Sequence, residues 1–207
     1  MTEMDYTLDR IGERLDHPER EPELAADDLV RVTWILDHTP AVPLLLDVGA
    51  SDGAILKRWL ARNPESSAVA VEPHIAHRSA LAELPRTVVV PFGMLRAQAM
   101  DLWHRNLFIV SWLTEVLEHY DAVTAGRILD AVGRVAIHVV VTVPNRDCAS
   151  IPAHRQRWQW PDHKQVFTAR DLRAALEAAG WTVTTLEPIV GESLDDSIWL
   201  GAICQRG

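Results

Sequence analysis

Leu44-Leu45-Leu46-Asp47-Val48-Gly49-Ala50-Ser51-Asp52-Gly53 is an apolar run that closes on an acid and two spaced glycines, with the helix-forming stretch Ala54–Arg62 directly behind it. The stretch predicts a strand, a sharp turn and a helix. Glycine at 49 lets the chain turn with its backbone close to a ligand, and glycine at 53 permits a close approach at the helix start. Such a turn leaves amide N–H groups exposed for a small molecule. About twenty residues on, the run Ser67–Val71 ends at Glu72-Pro73-His74, which puts a carboxylate where the crevice of an open sheet receives a ribose diol. A dinucleotide loop would carry G-x-G-x-x-G, whereas this loop has Ser51 and the acidic Asp52, a poor match for a pyrophosphate.

Outward from this unit the chain alternates. Helix Ile75–Leu84 and strand Thr87–Pro91 follow, then a helical stretch Leu95–Trp103, strand Leu107–Trp112, helix Ala122–Val132 and the Val/Ile-rich strand Ala136–Val143. The remainder reads as helix Ala169–Ala179 with Gly180 as its stop, strand Trp181–Leu186, a turn around Gly191–Asp196 and a last strand Ile198–Cys204. Two strands joined without a helix form a hairpin. The expected fold is α/β, a three-layer αβα sandwich with a seven-stranded, mostly parallel sheet and an antiparallel C-terminal strand. Upstream, residues 1–40 read as an N-terminal arm and a capping helix, with Leu29, Val32, Ile35 and Leu36 on its buried face and Asp27 or Asp28 as its N-cap. Residues 41–207 form one Rossmann-like domain.

Composition narrows the function. A formal charge of -9 disfavours roles that rest on a non-specific grip of phosphate backbones. The two cysteines, Cys148 and Cys204, have no metal-ligand spacing, and no apolar run reaches the roughly 18 residues of a membrane span. A cytoplasmic protein is expected, with no membrane partner.

The D-x-G-x-x-x-G loop and the strand-end acid resemble the first two motifs of class I S-adenosylmethionine-dependent methyltransferases, and the element order over Leu44–Cys204 matches that family. The resemblance implies that Asp47, Gly49, Ala50, Ser51 and Gly53 line the methionine and ribose of S-adenosylmethionine, that Glu72 holds the ribose hydroxyls and that Pro73 and His74 flank the adenine. Many family members bind the adenine amino group through an Asp after the third strand. Here that stretch is Val90-Pro91-Phe92-Gly93-Met94, so Phe92, Gly93 and Met94 are expected as lining only. Trp112 and Leu113, at the end of the fourth strand, complete the expected cofactor set.

That strand runs into Glu115-Val116-Leu117-Glu118-His119, which resembles the E-V-L-E-H stretch of small-molecule O-methyltransferases. On a helical turn Glu115 would face both Glu118 and His119. Two readings stay open. His119 is a general base oriented by Glu115 or Glu118, or Glu115, Glu118 and His119 bind magnesium or manganese. Small-RNA 3′-terminal ribose 2′-O-methyltransferases carry a similar E-x-x-E-H with a later D-H-K stretch, and Asp162-His163-Lys164 makes His163 the fourth candidate ligand. After the fifth strand, Pro144-Asn145 resembles the v-P-N of the same methyltransferases, which makes Asn145 a candidate for orienting the acceptor, or simply an Asx turn. The interleaved Arg155, Arg157, Trp158 and Trp160 suit substrate recognition. The expected function is methyl transfer to an oxygen, less readily a nitrogen, of a small molecule. RNA ribose methylation and a non-catalytic S-adenosylmethionine-binding subunit are the alternatives.

Overall fold

The computed structural model describes residues 26–99, 103, 107–148 and 163–207. In chain order these form α1 (Ala26–Asp37), β1 (Leu44–Val48), α2 (Ala54–Arg62), β2 (Ser67–Val71), α3 (Ile75–Ala82), β3 (Thr87–Val90) and α4 (Met94–Ala99). Then come β4 (Phe108–Thr114), a 3-10 turn over Leu117–His119, α5 (Ala122–Val135), β5 (Ala136–Pro144), α6 (Ala169–Ala178), β6 (Trp181–Ile189) and β7 (Trp199–Arg206). The strands make one sheet in the order β3-β2-β1-β4-β5-β7-β6. Strands β1 to β5 pair in parallel, and β7 runs antiparallel to both of its neighbours, β5 and β6. This is the expected seven-stranded sheet, and the switch between β1 and β4 opens a crevice at the carboxyl ends of those strands.

Alternation along the strands divides the core in two. Leu46, Val48, Val69, Val71, Leu113 and Val141 pack with Met94, Ile128 and Leu172 of α4, α5 and α6. Leu45, Ala68, Ala70, Val110 and Trp112 face the other way, onto Ile35, Trp59 and Leu81 of α1, α2 and α3. Helices therefore cover both faces, and a parallel strand buried on both sides needs the continuous apolar sequence that β5 has. Trp59 and Trp112 meet edge-on at 6.1 Å, a geometry that adds roughly 0.5–1.5 kcal/mol beyond burial.

Several expectations shift. Helix α1 already runs from Ala26, so Asp28 is inside it, 3.7 Å from Arg31, and does not cap it. Its buried stripe is Val32, Ile35 and Leu36, while Leu29 is 46% exposed on the first turn. Strand β4 continues two residues past Trp112, and Glu115 then adopts φ 57, so a single 3-10 turn replaces the helix start expected there. Of the tryptophans expected in the core, Trp59 and Trp181 are buried, and Trp34 and Trp103 are partly so. The N-terminal arm and the Arg155–Trp160 stretch fall outside the described residues. No helix among the described residues is long and apolar enough to cross a membrane.

Candidate active site

A cavity of about 330 Å³ opens at the carboxyl ends of β1, β2 and β4. Of the residues singled out in the sequence, Asp47, Gly49, Ala50, Ser51, Glu72, Pro73, His74, Glu115 and His119 line it. Gly49 is at φ 77, and a Cβ there would come within 2.6 Å of the Val116 side chain across the cavity. Gly53, at φ 78, does not line the cavity but starts α2, where a Cβ would meet Leu81 and Leu84 of α3 and the loop behind it at 2.7 and 2.8 Å. The two glycines thus have different tasks: one keeps the floor of the cavity low, the other lets α2 pack.

Glu72 ties the two loops together. Its Oε2 accepts from the Ser51 amide at 2.8 Å and its Oε1 from the His74 amide at 2.6 Å. His77 donates to the same carboxylate, its ring nitrogen nearest Oε2, so Oε1 keeps a second lone pair that can accept from a ribose hydroxyl. Burial pushes the Glu72 carboxyl up, but hydrogen bonds from His77, His74 and Ser51 outweigh it and hold the group below its ordinary range. Asp47, 3% exposed at the end of β1, is pushed up to about 7 by burial and then by the charge of Glu72. The cavity therefore sets two carboxyl groups of opposite tendency beside each other.

At the end of β4 the structure brings together Glu118, His119 and His163, each with a ligand atom within 4.8 Å of the others. The His119 and His163 rings lie 5.0 Å apart at 80°. His163 is delivered by backbone pairing, because the amides of Lys164 and Gln165 both donate to the Glu118 carbonyl and the Gln165 side chain donates to the Leu117 carbonyl. Glu118 is 1% exposed, and neither carboxylate oxygen finds a hydrogen-bond partner in another described residue. Burial first, and then the Glu115 charge, pushes its pKa well up. Glu115 does not join this group. With φ 57 ahead of a 3-10 turn, the i, i+3 and i, i+4 facing of an α-helix does not arise. Its Oε1 accepts from the Thr142 hydroxyl at 3.1 Å and its Oε2 from the Trp199 indole at 2.9 Å.

Other sequence candidates lie elsewhere. Asn145 is fully buried, its amide group donates to Leu194, Ser197 carbonyl and Ser197 hydroxyl oxygens, and its Oδ1 accepts from Asp147, so it fastens β5 to the β6–β7 connection and does not line the cavity. Trp112 and Leu113 are buried in the two opposite cores, and the Trp112 indole donates to Thr39. Met94 is buried under α4's face of the sheet and Phe92 packs on the same core beside Arg96, so Phe92, Gly93 and Met94 are not among the lining residues. Arg31 and Tyr120 line the cavity without having been singled out. Arg31 was readable as an ordinary solvated helix cation, but its side chain is 12% exposed and its guanidinium stands over the Trp199 ring at 5.4 Å. The available signal was its place four residues before the buried Ile35.

The sequence matches a methyltransferase domain family over residues 13–186. The chain belongs to that family. Its sheet order and strand directions are those of the class I S-adenosylmethionine-dependent methyltransferases, and solved structures with this fold bear it out. The pyocyanin biosynthetic protein PhzM superposes with a TM-score of 0.67 at 16% identity, over 86% of this chain and 55% of that one. The small RNA methyltransferase HEN1 gives 0.66 at 21% over 86% and 25%, and an O-methyltransferase family protein from Burkholderia thailandensis gives 0.65 at 17% over 87% and 58%. This methyltransferase-domain chain thus spans between a quarter and three fifths of those proteins. No curated protein matches its sequence.

Proposed function

We propose that this chain transfers a methyl group from S-adenosylmethionine to an oxygen of a small-molecule acceptor, and that the acceptor is deprotonated at His119. The carrying observation is that His119 lines the cofactor-sized cavity and also belongs to the Glu118–His119–His163 group. Proton removal and the transferring methyl would then meet at one wall. S-adenosylmethionine supplies a methyl group on a positively charged sulfur, which a cavity walled by Asp47, Glu72 and Glu115 suits electrostatically. Glu72 accepts from a ribose hydroxyl through the lone pair left on its Oε1. Arg31, whose Nε has no hydrogen-bond partner among the described residues, pairs with the methionine carboxylate.

The buried oxygens of Glu118, which accept from no other described residue, fit a divalent cation better than a structural ion pair. A cation held by Glu118, His119 and His163 would acidify the acceptor hydroxyl in place of the base, since a His119 nitrogen bound to the metal no longer takes the proton. One carboxylate with two imidazoles is a softer set than the carboxylate-rich one read from the sequence, so of the two ions expected, manganese suits it better than magnesium. The same trio favours one second reading, methylation of a terminal ribose hydroxyl of RNA, which the net charge of -9 opposes.

Calorimetric titration of the metal-stripped protein with S-adenosylhomocysteine, with and without manganese, tests the class. Micromolar binding is expected in both, with His119→Ala sparing that binding and removing turnover on hydroxyl acceptors. Failure to bind S-adenosylhomocysteine would overturn the methyltransferase reading. Undiminished turnover in His119→Ala would sink both the base and the metal roles, and methylation of a 3′-terminal RNA ribose in preference to small phenols would replace the small-molecule acceptor.

A further inference from the structure

We infer that Glu115 is a binding residue for the amino-acid end of the cofactor, receiving its α-ammonium group, and is not a ligand of any metal held by Glu118. The inference rests on the methyltransferase reading and deepens it. Glu115 lines the cavity, while the Glu118–His119–His163 group forms without it. Both of its oxygens are held from behind, one by the Thr142 hydroxyl and one by the Trp199 indole, so the carboxylate is fixed in orientation with one lone pair on each oxygen still available. A carboxylate so fixed is suited to a cationic hydrogen-bond donor arriving from the cavity. Turning it toward Glu118 would break both bonds.

The backbone supports the same assignment. Glu115 is one of four described non-glycine residues with a positive φ, and an L-residue in the left-handed region persists only where its surroundings over-determine it. Here β5 does so, since the Glu115 amide donates to the Thr142 carbonyl at 2.9 Å while the side chain accepts from the Thr142 hydroxyl. The conformation aims the side chain at the cavity wall that Arg31 shares. Arg31 and Glu115 do not pair with each other. They flank Trp199, whose ring lies under the guanidinium and whose indole N–H binds the carboxylate. A cation and an anion held apart by one aromatic wall complement the two charged groups of an α-amino acid, the carboxylate toward Arg31 and the ammonium toward Glu115.

The experiment compares three ligands on the full chain and on Glu115→Gln: S-adenosylhomocysteine, 5′-methylthioadenosine, which keeps the adenosine and thioether but lacks the amino acid, and manganese alone. The expected result is a tenfold or greater loss of S-adenosylhomocysteine affinity in Glu115→Gln, with 5′-methylthioadenosine and manganese affinities unchanged. Glu118→Gln serves as the converse variant, losing manganese and keeping S-adenosylhomocysteine. Equal losses for the two nucleosides in Glu115→Gln would mark a structural role, and a loss of manganese with unchanged S-adenosylhomocysteine would make Glu115 a metal ligand. Either overturns the assignment. A wild-type protein that binds neither nucleoside would instead overturn the methyltransferase reading on which it rests.

Discussion

Gly49 shows how far a single residue's task can be read from sequence. Its spacing from Asp47 and Gly53 marked a strand-to-helix turn, and the structure adds the reason: φ 77, with Val116 where a Cβ would project. A left-handed L-residue costs roughly 1–2 kcal/mol, and the displaced Val116 would enter the cavity. Gly49→Val is accordingly expected to lower S-adenosylhomocysteine affinity at least a hundredfold in calorimetry while the chain still unfolds cooperatively, and wild-type affinity in that variant would show that the loop does not touch the cofactor. Residues with local signatures, such as Gly49 and Glu72, were legible in this way. Arg31 and the partners of Glu115 were not, because Trp199 and Thr142 lie 84 and 27 residues away along the chain and only the β4–β5–β7 order brings them together.

Elements were legible where periodicity was strong and uncertain where tertiary contacts set the ends. The bounds of β1, α2 and β2 follow the sequence reading, since Pro43, Gly53 and the Glu72-Pro73 pair punctuate them. Strand β4 outran its reading because Leu113 and Thr114 find parallel partners in Val141 and Thr142 of β5, a pairing no local pattern encodes. Helix α1 owes its place to similar long-range contacts. Just past its end, the Thr39 hydroxyl donates to the Ile35 carbonyl at 2.7 Å and accepts from the Trp112 indole at 2.8 Å, which fastens the helix to the centre of the sheet. Thr39→Val keeps the shape and removes both bonds. Leaving the buried indole N–H unsatisfied should lower the unfolding free energy by about 1–3 kcal/mol, read as a lower urea midpoint at constant slope. An unchanged midpoint would mean that packing alone holds α1.

At the scale of the whole molecule, the buried carboxyl groups give stability a pH dependence with two limbs of opposite sign. Glu72, held below its ordinary range, contributes stability above its unfolded pKa that is lost as pH falls through its folded value. Asp47 acts the other way: with a folded pKa of about 7 against 3.8 unfolded, its contribution is complete below pH 4 and is lost as pH rises toward 7. Glu118, also raised by burial, adds to the same limb. The cofactor-free protein should therefore lose stability between pH 4 and 7, with Asp47 accounting for on the order of 4 kcal/mol of the decline. Asp47→Asn removes one titrating group from that limb and leaves Glu118 in place, so its urea midpoint should fall less steeply over the same interval and exceed the wild-type midpoint at pH 8. A slope equal to that of the wild type would show that Asp47 is ionised throughout and that the cavity around it holds enough water to keep it so.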